Sequence, residues 1–424
     1  MSAESNHNAG SLDPDFGSEG KAFPTNPSDP NGFVHGLTIA SGKLLIAARF
    51  GWNYAIIRLN TDGSPDEHFG NAGVVTGVFE RGYYSRATNI SVYEDGRVLI
   101  TGTFLETETS QPLPALARFH QDGRPDTSFG INGNLVIRLP LNQATLAPHT
   151  LAATDSGTSD SATSTVLADG KIILTGNHQY SFTEKAGLLI RLEENGSLDT
   201  SFNDGKGFII VRHPEYPTQI GTKLIQPDGR IVVAGSAYID DRSVGLYARY
   251  LADGAIDGSF GSSGFAINTA VQKPTQILWI TLQSNGKIIG VGSTLAFPLQ
   301  GLLQCLNTDG SNEPSFNEGC PVLTTVDENP YGFEWKSAAT QTNGNIIALG
   351  NTLGGEEADI ILGRYLSNGK LDINFGDKGI VRTKVGTSVD VSSAVDVQEN
   401  GRIVVAGYFF SPNGSRPVVL RYLN

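Results

Sequence analysis

Short apolar runs rich in Ile, Val and Leu recur along the chain, separated by Asp-Gly, Asn-Gly and other polar steps. An Asp-Gly or Asn-Gly step between such runs predicts a type I′ hairpin. Runs this short and β-branched predict strands and not helices. One segment reads Asp169-Gly-Lys-Ile-Ile-Leu-Thr-Gly176, and its counterparts open at Ser41, Asp95, Asp228, Asn285, Asn343 and Asn400. A second segment interleaves with it. It reads Asp122-Gly-Arg-Pro-Asp-Thr-Ser-Phe129-Gly-Ile-Asn-Gly133, and its copies centre on Phe16, Phe69, Phe129, Phe202, Phe260, Phe316 and Phe375. Seven copies of two motifs in fixed order predict seven units of four short antiparallel strands, the pattern of a radial β-propeller.

A linear solenoid needs atypical polar caps at its ends, and this chain has none of that kind. It ends on Val418-Val-Leu-Arg-Tyr-Leu-Asn424, where the Phe segment is due, and it starts with that segment, Leu12-Asp-Pro-Asp-Phe16-Gly17. Joining end to start restores the repeat. The expectation is an all-β, seven-bladed propeller closed by an N-terminal strand near Lys21 to Phe23, which removes exposed sheet edges. Residues 1–10 are expected to be a tail and 11–424 a single domain.

The Asp-Gly-x-x-Asp-x-x-Phe-Gly and Asp-Gly-Lys-Ile-Ile-x-x-Gly segments resemble the delta-60 repeat family of bacterial β-propeller-like repeats. The resemblance covers Leu12 to the C-terminus. It implies the fold and a bacterial source, and it implies no activity.

Composition narrows the function. The net charge is −13 and no basic run is present, against the clustered Lys/Arg that nucleic acid or an anionic membrane needs. No apolar stretch approaches a membrane span, and the start lacks the basic and apolar regions of a classical signal peptide. The expectation is a monomer that is cytoplasmic, or exported without such a signal. Two cysteines and seven scattered histidines offer no metal spacing, so no metal or cofactor is expected. The Asp pairs of the turns supply too few oxygens for calcium and are read as turn-closing side chains. No nucleophile-elbow, zinc-protease or phosphate-loop motif occurs.

The recurrent Phe is read as a buried anchor. Arg58, Arg118, Arg191, Arg249, Arg364 and Arg421 recur ahead of the turns, and their planar fork suits carbonyls or carboxylates between blades. In one unit the Arg and the final Gly become Cys305 and Cys320. These two would face each other across a hairpin, either as a disulfide or as two free buried thiols.

The remaining connections vary in length and share the opposite face of the ring, where loops on a rigid scaffold carry function. Aromatics gather there: Trp52, Tyr83, Tyr84, Tyr180, Tyr216, Tyr238, Tyr331, Trp335 and Tyr408, with Phe182, Phe297, Phe333, Phe409 and Phe410. Rings with a polar handle suit protein or glycan partners. The leading expectation is a non-catalytic binding propeller for a protein or carbohydrate. The alternatives are a hydrolase or lyase with a polar site on the propeller axis, and a structural module of a surface or toxin assembly.

Overall fold

The computed structural model describes residues 8–26, 28–108, 110, 112–139, 162–179, 185–326, 329–354 and 357–424. Among them the strands form seven four-stranded antiparallel sheets, arranged as a seven-bladed β-propeller. Blades 1 to 6 are consecutive in sequence, at 32–77, 84–136, 163–211, 218–267, 275–324 and 333–383. Blade 7 takes three strands from 390–422, and its fourth, Lys21–Ala22, comes from the other end of the chain, with Lys21 opposite Leu420. Ring closure therefore follows the split repeat. Ala9 and Gly10, expected in a tail, are part of it: Gly376 N–H donates to Ala9 O at 3.0 Å and Gly10 N–H to Leu423 O at 2.9 Å.

The core lies between blades. Seven buried apolar clusters occupy the seven joints, one per pair of neighbouring sheets, from Leu45 and Ile100 at the joint of blades 1 and 2 to Val34 and Val404 at that of blades 7 and 1. Each sheet is thus covered on both faces. That is why the first half of each second strand is a run of consecutive buried residues without alternation. All seven recurrent Phe rings are at most 1% exposed.

In six of the seven blades the first hairpin departs from the expected turn. Type I′ needs positive φ at both central residues. Only blade 1 shows this, with Ser41 at 49° and Gly42 at 72°. In blade 2 the Gly96 N–H reaches Tyr93 O at 2.9 Å and Gly96 alone has positive φ, 83°. The turn is therefore type I followed by a left-handed glycine. The Asp keeps its expected work, since Asp95 Oδ1 accepts Arg97 N–H at 3.0 Å.

The Arg, Asp and Phe of the second motif form one clasp. In blade 2, Arg118 Nε donates to Asp126 Oδ2 at 2.7 Å, its guanidinium lies 4.9 Å from the Phe129 ring centre, and Nη1 donates to Glu194 O of blade 3 at 2.5 Å. Arg58, Arg191, Arg249 and Arg421 repeat the arrangement, each reaching a carbonyl in the next blade. Arg364 reaches Asn424 Oδ1 at 3.0 Å instead. Beside each clasp a backbone N–H crosses the same joint: Gly17 to Asp62 O, Gly70 to Asp122 O, Gly130 to Asn195 O, Asn203 to Asp253 O, Gly261 to Asp309 O and Gly376 to Ala9 O; Asn317 to Asn368 O does the same in blade 5. Burial opposes the charge on Asp126, but hydrogen bonds from Ser128 and the charge of Arg118 prevail and hold its carboxyl at about 2.

Blade 5 lacks the Arg. Glu313, one methylene longer than Asp, pairs with Lys287 at 2.8 Å. Both cysteines are free: Cys305 is buried among the apolar side chains of its joint, and Cys320 is exposed. Cys320 follows the short 3₁₀ turn Asn317–Gly319 and precedes the strand Val322–Thr324, so it lies outside the ladder. Burial pushes the Cys305 thiol up to about 12.

Asp13 ties the two chain ends, taking Arg421 Nε at 2.9 Å and Arg402 Nε at 2.8 Å while 1% exposed. Breaking a buried pair from one side costs about 3–5 kcal/mol. Asp13→Ala should therefore lower the melting temperature by many degrees. Asp122→Ala removes the exposed Arg124 pair and one turn bond from Arg124 N–H and should change it much less. Equal melting of Asp13→Ala and the unaltered protein would show that the N-terminal segment does not close the ring.

Candidate functional site

The innermost strand of each blade is its first: Gly32–Ala40, Tyr84–Val92, Thr163–Val166, Thr218–Ile225, Thr275–Leu282, Phe333–Thr340 and Asp390–Val397. Neighbouring innermost strands touch all the way round and enclose the axial channel. In six of them the register slips by one residue near the loop face, as between Val34 and Gly36 or Ala87 and Asn89. A bulge bends a strand and re-aims a side chain. In blade 1 the extra residue is His35.

His35 is half-buried, and the charges that act on it are those of Arg86 and Arg49. Burial and then those two positive charges push its imidazole down to about 3, so the ring is neutral at ordinary pH. His35 Nε2, Arg49 Nε and Arg86 Nε are all buried without a hydrogen-bond partner. Neither Arg49 nor Arg86 has a carboxylate partner among the described residues, unlike every clasp arginine. Arg49 is held by Nη1 donating to Gly51 O at 2.7 Å. Buried polar groups are normally satisfied. Two cations and an open imidazole nitrogen together, in a chain of net charge −13, make this spot electrostatically unlike the rest of the ring.

Aromatic rings flank it without a break. The Arg49 guanidinium lies 4.2 Å from the Phe33 ring centre and 5.5 Å from that of Tyr84. Outward, Trp52 lies 5.9 Å from Tyr84 and 5.1 Å from Tyr83, and Ser85 N–H donates to Trp52 O at 2.9 Å, which ties the two loops. On the other side Phe33 lies 5.0 Å from Tyr408, which lies 5.8 Å from Phe410. Trp52 is 57% exposed, Tyr83 39% and Phe410 38%. Burial raises the Tyr408 hydroxyl above its usual range, so it stays protonated as a donor.

Four of the expected residues, Trp52, Tyr83, Tyr84 and Tyr408, thus meet on blades 7, 1 and 2. Others lie apart. Tyr216 stacks on His213 at 4.7 Å beside blade 4, and Tyr238 is half-buried in that blade. Tyr331 and Phe297 form an exposed pair 6.4 Å apart between blades 5 and 6. Phe409 packs on Phe23 at 5.9 Å. Tyr180 and Phe182 lie outside the described residues.

Trp335 is not on an exposed face. Its strand opens at Phe333, two residues before it, and alternation turns 333 and 335 into the joint while Glu334 and Lys336 stay half-exposed. Trp335 is fully buried, donates Nε1–H to Tyr365 OH at 3.2 Å, and fills space left by Gly301 and Gly363. His35, Arg49, Arg86 and Phe33 were not legible as site residues. Charge alone gave no signal, because other innermost strands also carry it, at Lys223, Glu334, Lys336, Asp390 and Asp396.

Among the described residues no group of three or more His, Cys, Asp or Glu could hold a metal ion, and no helix is long and apolar enough to cross a membrane.

The family described as domain of unknown function DUF5122, a beta-propeller, matches residues 39–69, 94–129, 167–202, 226–260, 283–316 and 398–424. The chain carries propeller repeats of that type. No curated protein matches it. Among solved structures, an ulvan lyase of polysaccharide lyase family PL25 bound to -[GlcA(1-4)Rha3S]- is similar at 11% identity and TM-score 0.49, covering 98% of this chain and 94% of the lyase. Polysaccharide lyase Uly1 follows at 12% identity and TM-score 0.46, covering 96% and 93%. A protein of unknown function from Dyadobacter fermentans has 11% identity and TM-score 0.44, covering 95% and 97%. Overlap this loose carries no statement about activity.

The two tryptophans separate packing from display. Trp335→Ala should cost about 3–5 kcal/mol of unfolding free energy. Trp52→Ala should stay within about 0.5 kcal/mol. Denaturant melts of both variants decide, and equal losses would mean that Trp52 is a packing residue too.

Proposed function

We propose that this protein binds an acidic saccharide, bearing carboxylate or sulfate, at the loop-face mouth of its axial channel. Arg49 and Arg86 receive the anion, His35 offers a neutral hydrogen-bonding nitrogen, and Phe33, Tyr84 and Tyr408 take the apolar faces of the sugar. The observation that carries this reading is the pair of half-buried guanidinium groups without a carboxylate, set within a run of aromatic rings. A charge-assisted bond from such a group contributes about 1.5–3 kcal/mol. The cations are recessed among the rings, where a slim ligand group reaches them and a flat protein surface does not. We read the paired motifs as delta-60 repeats of a bacterial protein.

Calorimetry with uronate-bearing, sulfated and neutral oligosaccharides of equal size tests this. Acidic ligands should bind, with affinity falling as salt rises. Arg86→Ala should weaken them tenfold or more, about 1.4 kcal/mol, with melting unchanged. Neutral sugars binding as well as acidic ones, or full affinity in Arg86→Ala, would refute it.

The open His35 Nε2 beside two arginines raises one second reading, a lyase, in which a bound carboxylate must first offset the arginine charges before the imidazole can accept a proton. The arginines would hold the carboxylate of a uronic acid, and His35 would take the proton from the adjacent carbon. The glycosidic oxygen would leave the next carbon with its bonding pair, creating a carbon–carbon double bond. Ultraviolet absorbance growing on incubation with a polyuronate, and lost in His35→Ala, would favour the lyase. Binding without such growth would favour the binder.

A further inference from the structure

We propose that the natural ligand is an internal stretch of an acidic polysaccharide, laid across blades 2, 1 and 7 with one charged sugar seated at the channel mouth. This rests on the reading above and extends it from a single sugar to a polymer. The contacts run on from blade 2 across blade 1 to blade 7: Trp52 to Tyr84 at 5.9 Å, Arg49 to Tyr84 at 5.5 Å, Arg49 to Phe33 at 4.2 Å, and Phe33 to Tyr408 at 5.0 Å, with Phe410 closing a three-ring group at that end, 5.8 Å from Tyr408 and 6.3 Å from Phe33. Each step is comparable to the length of one pyranose ring. Exposure rises away from the cations in both directions, to 57% at Trp52 and 38% at Phe410. A monosaccharide site would be closed by loops on its far side. Here both ends of the line open to solvent, so the chain can run on past the contacts.

The cations without a hydrogen-bond partner at Nε sit in the middle of the line. Arg49 and Arg86 are its unpaired cations, while the outer positions, Trp52 and Tyr83 on one side and Phe410 on the other, offer ring faces. The central subsite therefore selects an acid, and the flanking subsites add affinity by stacking without selecting charge. The tie between Ser85 N–H and Trp52 O at 2.9 Å holds the outer platform in place before the ligand arrives, which reduces the ordering cost of binding.

The experiment measures affinity for a disaccharide, tetrasaccharide and hexasaccharide of one polyuronate, with polyglutamate as a peptide control. The proteins compared are the unaltered chain, Trp52→Ala/Tyr83→Ala and Arg86→Ala. The unaltered protein should gain about tenfold between disaccharide and hexasaccharide. The platform variant should bind the hexasaccharide little more tightly than the disaccharide. Arg86→Ala should weaken every length. A flat length dependence, with Arg86→Ala still impaired, overturns the polymer and leaves the acidic-sugar reading. Length dependence that survives the loss of Trp52 and Tyr83 overturns this path across the face. Polyglutamate binding more tightly than the hexasaccharide, or no polyuronate binding at all, overturns both.

Discussion

Arg118 holds Asp126 at 2.7 Å, covers Phe129, and reaches across to Glu194 O in the next blade. The remaining geometry depends on this clasp and its copies. A sheet covered on both faces is stabilised mainly by burial, at about 1.5–3 kcal/mol for each large apolar side chain, and seven joints hold many of these. The clasp adds less. Burial is non-directional, however, and would tolerate sheets sliding past each other. A planar guanidinium that must meet a carboxylate in its own blade and a carbonyl in the next has one productive position. Clasp and crossing N–H together set the height of each blade against its neighbour.

Those contacts lie on the motif-turn face. The opposite face is free of them, and its connections range from the tight turn at Trp52 to the long segment after Leu139. The innermost strands bulge near that face and turn individual side chains toward the axis. Blades 1 and 2 use this freedom to bring together Arg49, Arg86 and His35, which no clasp satisfies. Blade 5 shows how far the clasp can vary: Cys305 removes the guanidinium, Glu313 lengthens to meet Lys287, and the crossing bond from Asn317 to Asn368 O remains at 3.1 Å.

Fold was legible because its signals are local and repeated. Gly-bearing turns, two-sided apolar strands and the split motif at Leu12 and Arg421 each act within a few residues or recur sevenfold. Six of the seven first hairpins were misassigned as type I′ because Asp-Gly and Asn-Gly also serve a type I turn closed by a left-handed glycine, and sequence alone does not separate the two. The aromatic half of the site was legible in part, since Trp52, Tyr83, Tyr84 and Tyr408 stand in variable connections. Trp335 was misplaced because one strand boundary decides its side: starting the strand at Phe333 turns position 335 into the joint. The cationic half was not legible. Arg49 and Arg86 belong to different blades, and His35 meets them only through a bulge, which a hydrophobic pattern does not reveal.

The registering role of the clasp is tested most directly by a double-mutant cycle on Arg118 and Asp126, with unfolding free energies from denaturant melts of the two single alanine variants and the double. The account predicts that the losses are strongly non-additive, with a coupling of about 1.5–3 kcal/mol. Losses that simply add would mean that the two side chains act independently and that burial alone sets the ring.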